Sequence, residues 1–207
     1  MHAHVETINR RMNLKRRAWM ATMALGASPA LWAQFRVDVS GVGMQQIPIA
    51  LAPFKEEARS PQAVSTIVRA DLERSGLFRG ILLTDVLDEN SRPDLSQIRG
   101  RGVDVLATGS VTRLADGRYD VRYRVWDVVK AQDLGGASFV VVAADLRLAA
   151  HRIADQIYER FTGEKGVFST RLAYVTKRGQ QFHLWIADAD GENAQPDRKS
   201  TRLNSSH

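Results

Sequence analysis

Cysteine is absent from this 207-residue sequence. That absence removes disulfides, thiolate catalysis and cysteine-based zinc sites. Long hydrophobic runs are also missing. The apolar stretch from Ala18 to about Leu25 is too short, and too broken by Gly, Ser and Pro after it, to cross a bilayer as a permanent helix. Histidine is scarce, at five residues, and His151 and His183 each stand without a second histidine at metal-ligand spacing. No Ser/His/Asp set and no carboxylate couple at a strand end suggests itself. These gaps leave the sequence without an expected catalytic residue, cofactor or metal. Composition points to a folded domain: 44% of residues are hydrophobic and 25% charged.

The net charge of +6 invites a nucleic-acid or membrane reading, but the charges sit at the ends. Five basic residues fall in the first seventeen positions and three more in the last ten, leaving 21 basic against 21 acidic residues between Gln34 and Pro196. Arg122 and Arg124 do form a basic stripe, flanked by Asp120 and Asp127, which reads as a solvated sheet face.

The start of the chain has a basic stretch, a short apolar run and then small residues, the build of a secretory signal peptide. Met12 is a second candidate start. Cleavage is expected after Ala30 or Ala33, with Ala33–Gln34 preferred because a strand pattern begins at Phe35. The mature protein is expected to be exported and soluble.

Beyond the leader, "FRVDVSG" alternates as a half-exposed strand and "QIPIALAPF" reads as a buried one. Ser60-Pro61 predicts a helix cap and first helical residue. Val64, Ile67, Val68, Asp71 and Leu72 follow at helical spacing, and Gly76 supplies the stop. "GILLTDV" is a strand and "DLSQIRG" a short helix. Asp116-Gly117 joins two long strands into a hairpin, with Tyr119, Val121, Tyr123 and Val125 on one face. "ASFVVVAAD" adds a strand. The last helix turns Leu146, Ala149, Ile153, Ile157 and Phe161 inward, sets His151 on its outer side and stops at Gly163. This order predicts an α/β fold: a compact domain with one mixed sheet and packed helices.

After Gly166 the pattern changes to strand, turn, strand, turn with no helix, as at the opening of a β-propeller blade. No returning strand is expected after the turn at Asp190-Gly191. Asp188-x-Asp190-Gly191 hints at a calcium loop but lacks the later oxygen ligands and glutamate, so a tight turn is the simpler reading. Gly41-Val42-Gly43 fails as a dinucleotide fingerprint because no helix pattern follows it.

Several stretches together resemble the TolB family: "FRVDVSGVGMQQIPIALAPF", "ADLERSGLFRGI", "VDVLATGSV", "YDVRYRVWDV", "HRIADQIYERFTGEKGVFSTRLAYVTK" and "LWIADADGENAQ". The resemblance runs from about Gln34 to Gln195. It implies a non-enzymatic periplasmic subunit of the Tol–Pal system, with an amino-terminal α/β domain ahead of a six-bladed propeller. It also implies two protein partners. The mature terminus, Gln34, Phe35, Arg36, Val37, Asp38 and Val39, would contact inner-membrane TolA by position, and the propeller would bind outer-membrane Pal. The task implied is support of the outer membrane during its constriction at cell division.

The expected organisation is a signal peptide at 1–33, the α/β domain at 34–165 and the first strands of an incomplete propeller at 166–196. Residues 197–207 match, residue for residue, a one-frame translation of a widely used sequencing adapter, and are expected to be an artefact on a truncated gene. A reading from another class is the front of a secreted propeller-containing hydrolase without its catalytic domain. Sequence beyond Pro196 would separate the two.

Overall fold

The computed structural model describes residues 45–197, all within one compact unit spanning Gly43–His207. Strand β1 (Ile47–Leu51) lies between β2 (Phe78–Leu82) and β3 (Val105–Arg113), parallel to both. Strands β4 (Tyr119–Asp127) and β5 (Gln132–Val141) continue from β3 as an antiparallel meander, giving the order β2-β1-β3-β4-β5. A parallel step needs a crossover, and helix α1 (Val64–Arg74) supplies it between β1 and β2. The short helix α2 (Leu95–Gly100) precedes β3, and α3 (Leu146–Thr162) follows β5.

Alternation along the strands builds a core on each face of this sheet. Ile49, Leu51, Val105, Ala107, Val121, Tyr123 and Val125 meet Val64, Val68 and Leu72 of α1 and Leu146, Ile153 and Ile157 of α3. Ala50 and Leu106 turn the other way, against Ile98 of α2, Val103 and Val128. The predicted inner face of the Asp116-Gly117 hairpin is buried as expected, and Phe161 packs at the margin of the larger core. Gly109 is glycine for a steric reason: a Cβ there would collide with the Arg122 carbonyl and the Phe54 ring.

Two local expectations need correction. Helix α1 does not begin at Ser60-Pro61: Ser60 is extended, and the residue before the first turn is Ala63. The reason is Glu57, whose carboxylate accepts the Ser65 backbone N–H at 3.0 Å and the Ser65 hydroxyl at 2.6 Å. An acidic side chain from outside the helix thus satisfies a first-turn donor that a capping serine would otherwise serve. The helix stop at Gly76 and that at Gly163 are as read, both glycines with positive φ.

The second correction is at the carboxy-terminal end. A separate antiparallel sheet is formed by β6 (Arg171–Arg178), β7 (Gln181–Asp188) and a two-residue β8 (Gln195–Pro196). The return absent from the sequence reading is therefore present, with Gln195 opposite Ile186 and Pro196 opposite Trp185. Its shortness explains why alternation could not reveal it. Among the described residues, no helix is long and apolar enough to cross a membrane.

Candidate functional site

The two sheets meet at a junction built in two parts. The first fastens the connecting segment. Asp155, on α3, accepts the backbone N–H groups of Phe168 at 2.7 Å and Ser169 at 3.1 Å. Phe168 is buried, edge-on to the Tyr158 ring at 5.7 Å between centroids. Gly166 passes so close to Asp155 that a Cβ would strike its carboxylate, which is why the connector carries glycine there.

The second part is a buried ionic cluster. Arg147 and His151 are four residues apart on α3 and so share a face of it. Asp71 comes from the last turns of α1, Asp188 from the end of β7 and Asp190 from the turn beyond. His151 Nδ1 lies 2.6 Å from Asp71 Oδ2, and both side chains are only 1% exposed. The other carboxylate oxygen of Asp71 accepts Arg74 Nη1 at 2.8 Å. Arg147 donates through Nη2 to Asp190 and stands 3.5 Å from Asp188 through Nε. His151 Nε2 faces Asp188 and Asp190 at 4.0 and 3.9 Å, with no hydrogen-bond partner.

Burial raises the pKa of Asp190. The Glu192 backbone N–H and the charge of Arg147 outweigh it, so the carboxyl rests below the usual aspartate value. Asp71, His151 and Asp190 offer ligand atoms all within 4.8 Å of one another, the one group of metal-capable side chains found among the described residues. A buried Asp–His pair also belongs to hydrolytic triads, but here Nε2 faces two carboxylates in place of a nucleophilic hydroxyl.

His151 is thus not on the outer side of the last helix, as the sequence suggested. It lies at the margin of the apolar stripe, where α1 packs over it and Asp71 satisfies its ring nitrogen. The Asp190-Gly191 turn forms as read: Gly191 N–H donates to the Asp188 carbonyl at 2.9 Å and Gly191 has φ 85°. What the turn signal could not show is that both aspartates point back at α3. His183 stays in β7, opposite Thr176. The Arg122/Arg124 stripe is tied to neighbours, Arg122 to Asp120 and Arg124 to Asp133 and the Glu89 carbonyl. Ala33, Gln34, Phe35, Arg36, Val37, Asp38 and Val39 lie outside the described residues, as do Gly41, Val42 and Gly43.

Residues 35–134, which include the whole five-stranded sheet up to the start of β5, match the family model of the TolB amino-terminal domain. The chain belongs to the TolB family through this domain. It is 60% identical over 186 residues to the Tol-Pal system protein TolB of Polaromonas naphthalenivorans, covering 88% of this chain and 43% of that protein. Against the Tol-Pal system protein TolB of Albidiferax ferrireducens the identity is 63% over 164 residues, covering 79% and 39%. The crystal structure of TolB from Acinetobacter baumannii superposes with a TM-score of 0.63 at 34% identity, over 73% of this chain and 38% of that one. The chain therefore spans less than half the length of these TolB relatives.

Proposed function

We propose that the protein is a non-enzymatic periplasmic component of the Tol–Pal envelope system that links inner-membrane TolA to outer-membrane Pal during constriction at division. The observation that carries this reading is the 60% identity to a Tol-Pal system TolB across 88% of the chain. Within it, the TolA contact is made by the mature terminus, Gln34 to Val39, after cleavage at Ala33. The three-stranded sheet β6–β8 is the opening of a propeller whose further blades make the Pal contact. A short terminal segment with alternating apolar residues suits the TolA role, because backbone hydrogen bonds would let it pair with different sheet edges, and termini are released at little cost.

The test is capture by the purified periplasmic part of TolA. Mature chain beginning at Gln34 is expected to be retained. Deletion of residues 34–39 is expected to abolish retention while the thermal unfolding midpoint stays unchanged. Undiminished binding by the deleted, folded chain would overturn the assignment. Mass spectrometry of exported material is expected to show a mature start at Gln34 or Leu31, and a full-length chain kept in the cytoplasm would contradict the periplasmic reading.

A further inference from the structure

We propose that His151, Asp188 and Asp190 form a site for a divalent transition-metal cation of the zinc type, which staples the turn after β7 to helix α3. The proposal is independent of the TolA and Pal contacts. Its first support is an orphaned atom. The 2.6 Å contact of His151 Nδ1 with Asp71 fixes the ring, so Nε2 is aimed at the oxygens of Asp188 and Asp190 with no hydrogen-bond partner, on a side chain 1% exposed. The ring nitrogen and the two carboxylate oxygens face one another in a largely buried site, where a cation is needed beside the oxygens and Arg147 is the one that now holds them.

The second support is charge. Asp71, Asp188 and Asp190 bring three carboxylates against the two guanidiniums of Arg74 and Arg147. One buried negative charge is left over by the arginines. A dication that takes over from Arg147 brings the three carboxylates and Arg74 to neutrality. Arg147 is placed for such an exchange: its side chain is 19% exposed, and its Nε has no hydrogen-bond partner.

The third support is the outer shell. Metal-bound histidines commonly donate their other ring nitrogen to a carboxylate, and ligating carboxylates are themselves hydrogen-bonded. Asp71 already plays the first part, and the Glu192 backbone N–H, 3.1 Å from Asp190 Oδ1, plays the second. Ligands of a tetrahedral zinc ion with bonds of about 2.0–2.1 Å lie about 3.3 Å apart, so His151 must approach the two carboxylates by roughly half an ångström. Closing that gap falls to the end of β7 and the turn beyond it, which carry Asp188 and Asp190.

Isothermal titration of the full, metal-stripped chain with zinc chloride tests this, with the thermal unfolding midpoint as a second readout. One equivalent is expected to bind and to raise the midpoint. His151→Ala is expected to abolish that binding. Asp188→Asn, which keeps the size of the side chain, is expected to weaken it by about tenfold or more. Arg147→Gln is expected to tighten zinc binding while lowering the midpoint without metal, a pairing of signs that a purely structural ion network does not give. No binding, binding unchanged by both His151→Ala and Asp188→Asn, or weaker binding in Arg147→Gln would each overturn the proposal.

Discussion

The five-stranded and three-stranded sheets follow the same alternation rule and end in different physical states. In the first, α1 and α3 close one side and α2 covers part of the other, and Ile49, Val121 and Ile153 are fully buried. In the second, side chains of the same type remain in water. Val175 is 59% and Phe182 64% exposed, and burial is reached only at Ala187 and Asp188, where β7 meets α3. Strand pattern is thus enough to form a sheet but not to stabilise it; the stabilisation comes from the second layer. The hairpin is fastened at one end by Phe168, Asp155 and the ionic cluster, while its Gly179 turn projects away from any covering element described.

The largest expected contrast comes from truncating one aliphatic side chain in each sheet region. Ile153→Ala empties a fully buried site and is expected to cost about 2–5 kcal/mol. Val175→Ala removes exposed surface and should stay within about 0.5 kcal/mol of zero. Urea unfolding midpoints compare the two directly, and equal losses would erase the distinction.

Next in size is the anchor. Phe168→Ala removes a buried ring that packs on Tyr158, and a loss of about 3 kcal/mol is expected, as for other buried aromatics. Because Phe168 sits between the sheets, limited proteolysis should accelerate between residues 163 and 171 before the five-stranded sheet is lost. Cleavage there no faster than in the unsubstituted protein would show that the ring does not fasten the junction.

Asp155→Ala is expected to cost less, about 2 kcal/mol, since it leaves two backbone N–H groups without their charged acceptor. The effect should appear as faster amide exchange at Phe168 and Ser169, with the β3–β4 hairpin unchanged. The smallest effect is at Asp94, which caps α2 in open solvent. The Ser96 hydroxyl and the Gln97 N–H hold its carboxyl below the usual range. A depressed folded-state pKa contributes stability above the unfolded value near 3.9, and that contribution is lost as pH falls through the lower folded value. Asp94→Asn should therefore flatten the acid limb of the stability profile slightly, and an unaltered limb would show that the cap does not titrate as described.

Most of the fold was legible because burial follows period. The stripe Leu146, Ala149, Ile153 and Ile157, the alternation from Tyr119 to Val125 and the glycine stops all appear where spacing places them. The ionic cluster was not legible. Its members stand at positions 71, 147, 151, 188 and 190, and only packing of α1 and the β7 turn onto α3 brings them together. His151 shows the reason most directly: a polar residue on the edge of an apolar stripe reads as exposed until a second helix covers it. Ser60 failed for a related reason, since Glu57 outside the helix took a first-turn donor. Helix spacing and turn signals carry local geometry, while partners supplied from a distance leave no periodic trace.

Among the described residues, the three-stranded sheet is held from one end only, where β7 meets α3. Amide hydrogen exchange on the full chain, resolved along β7 and compared with β3 and β4, tests this most directly. Protection is expected to rise along β7 from Gln181 to Asp188, with residues 176–182 exchanging far faster than Val105–Arg113 and with Arg147→Gln lowering protection at Ala187 and Asp188. Uniform protection across β6 and β7, as slow as in the β3–β4 hairpin and indifferent to Arg147, would contradict it.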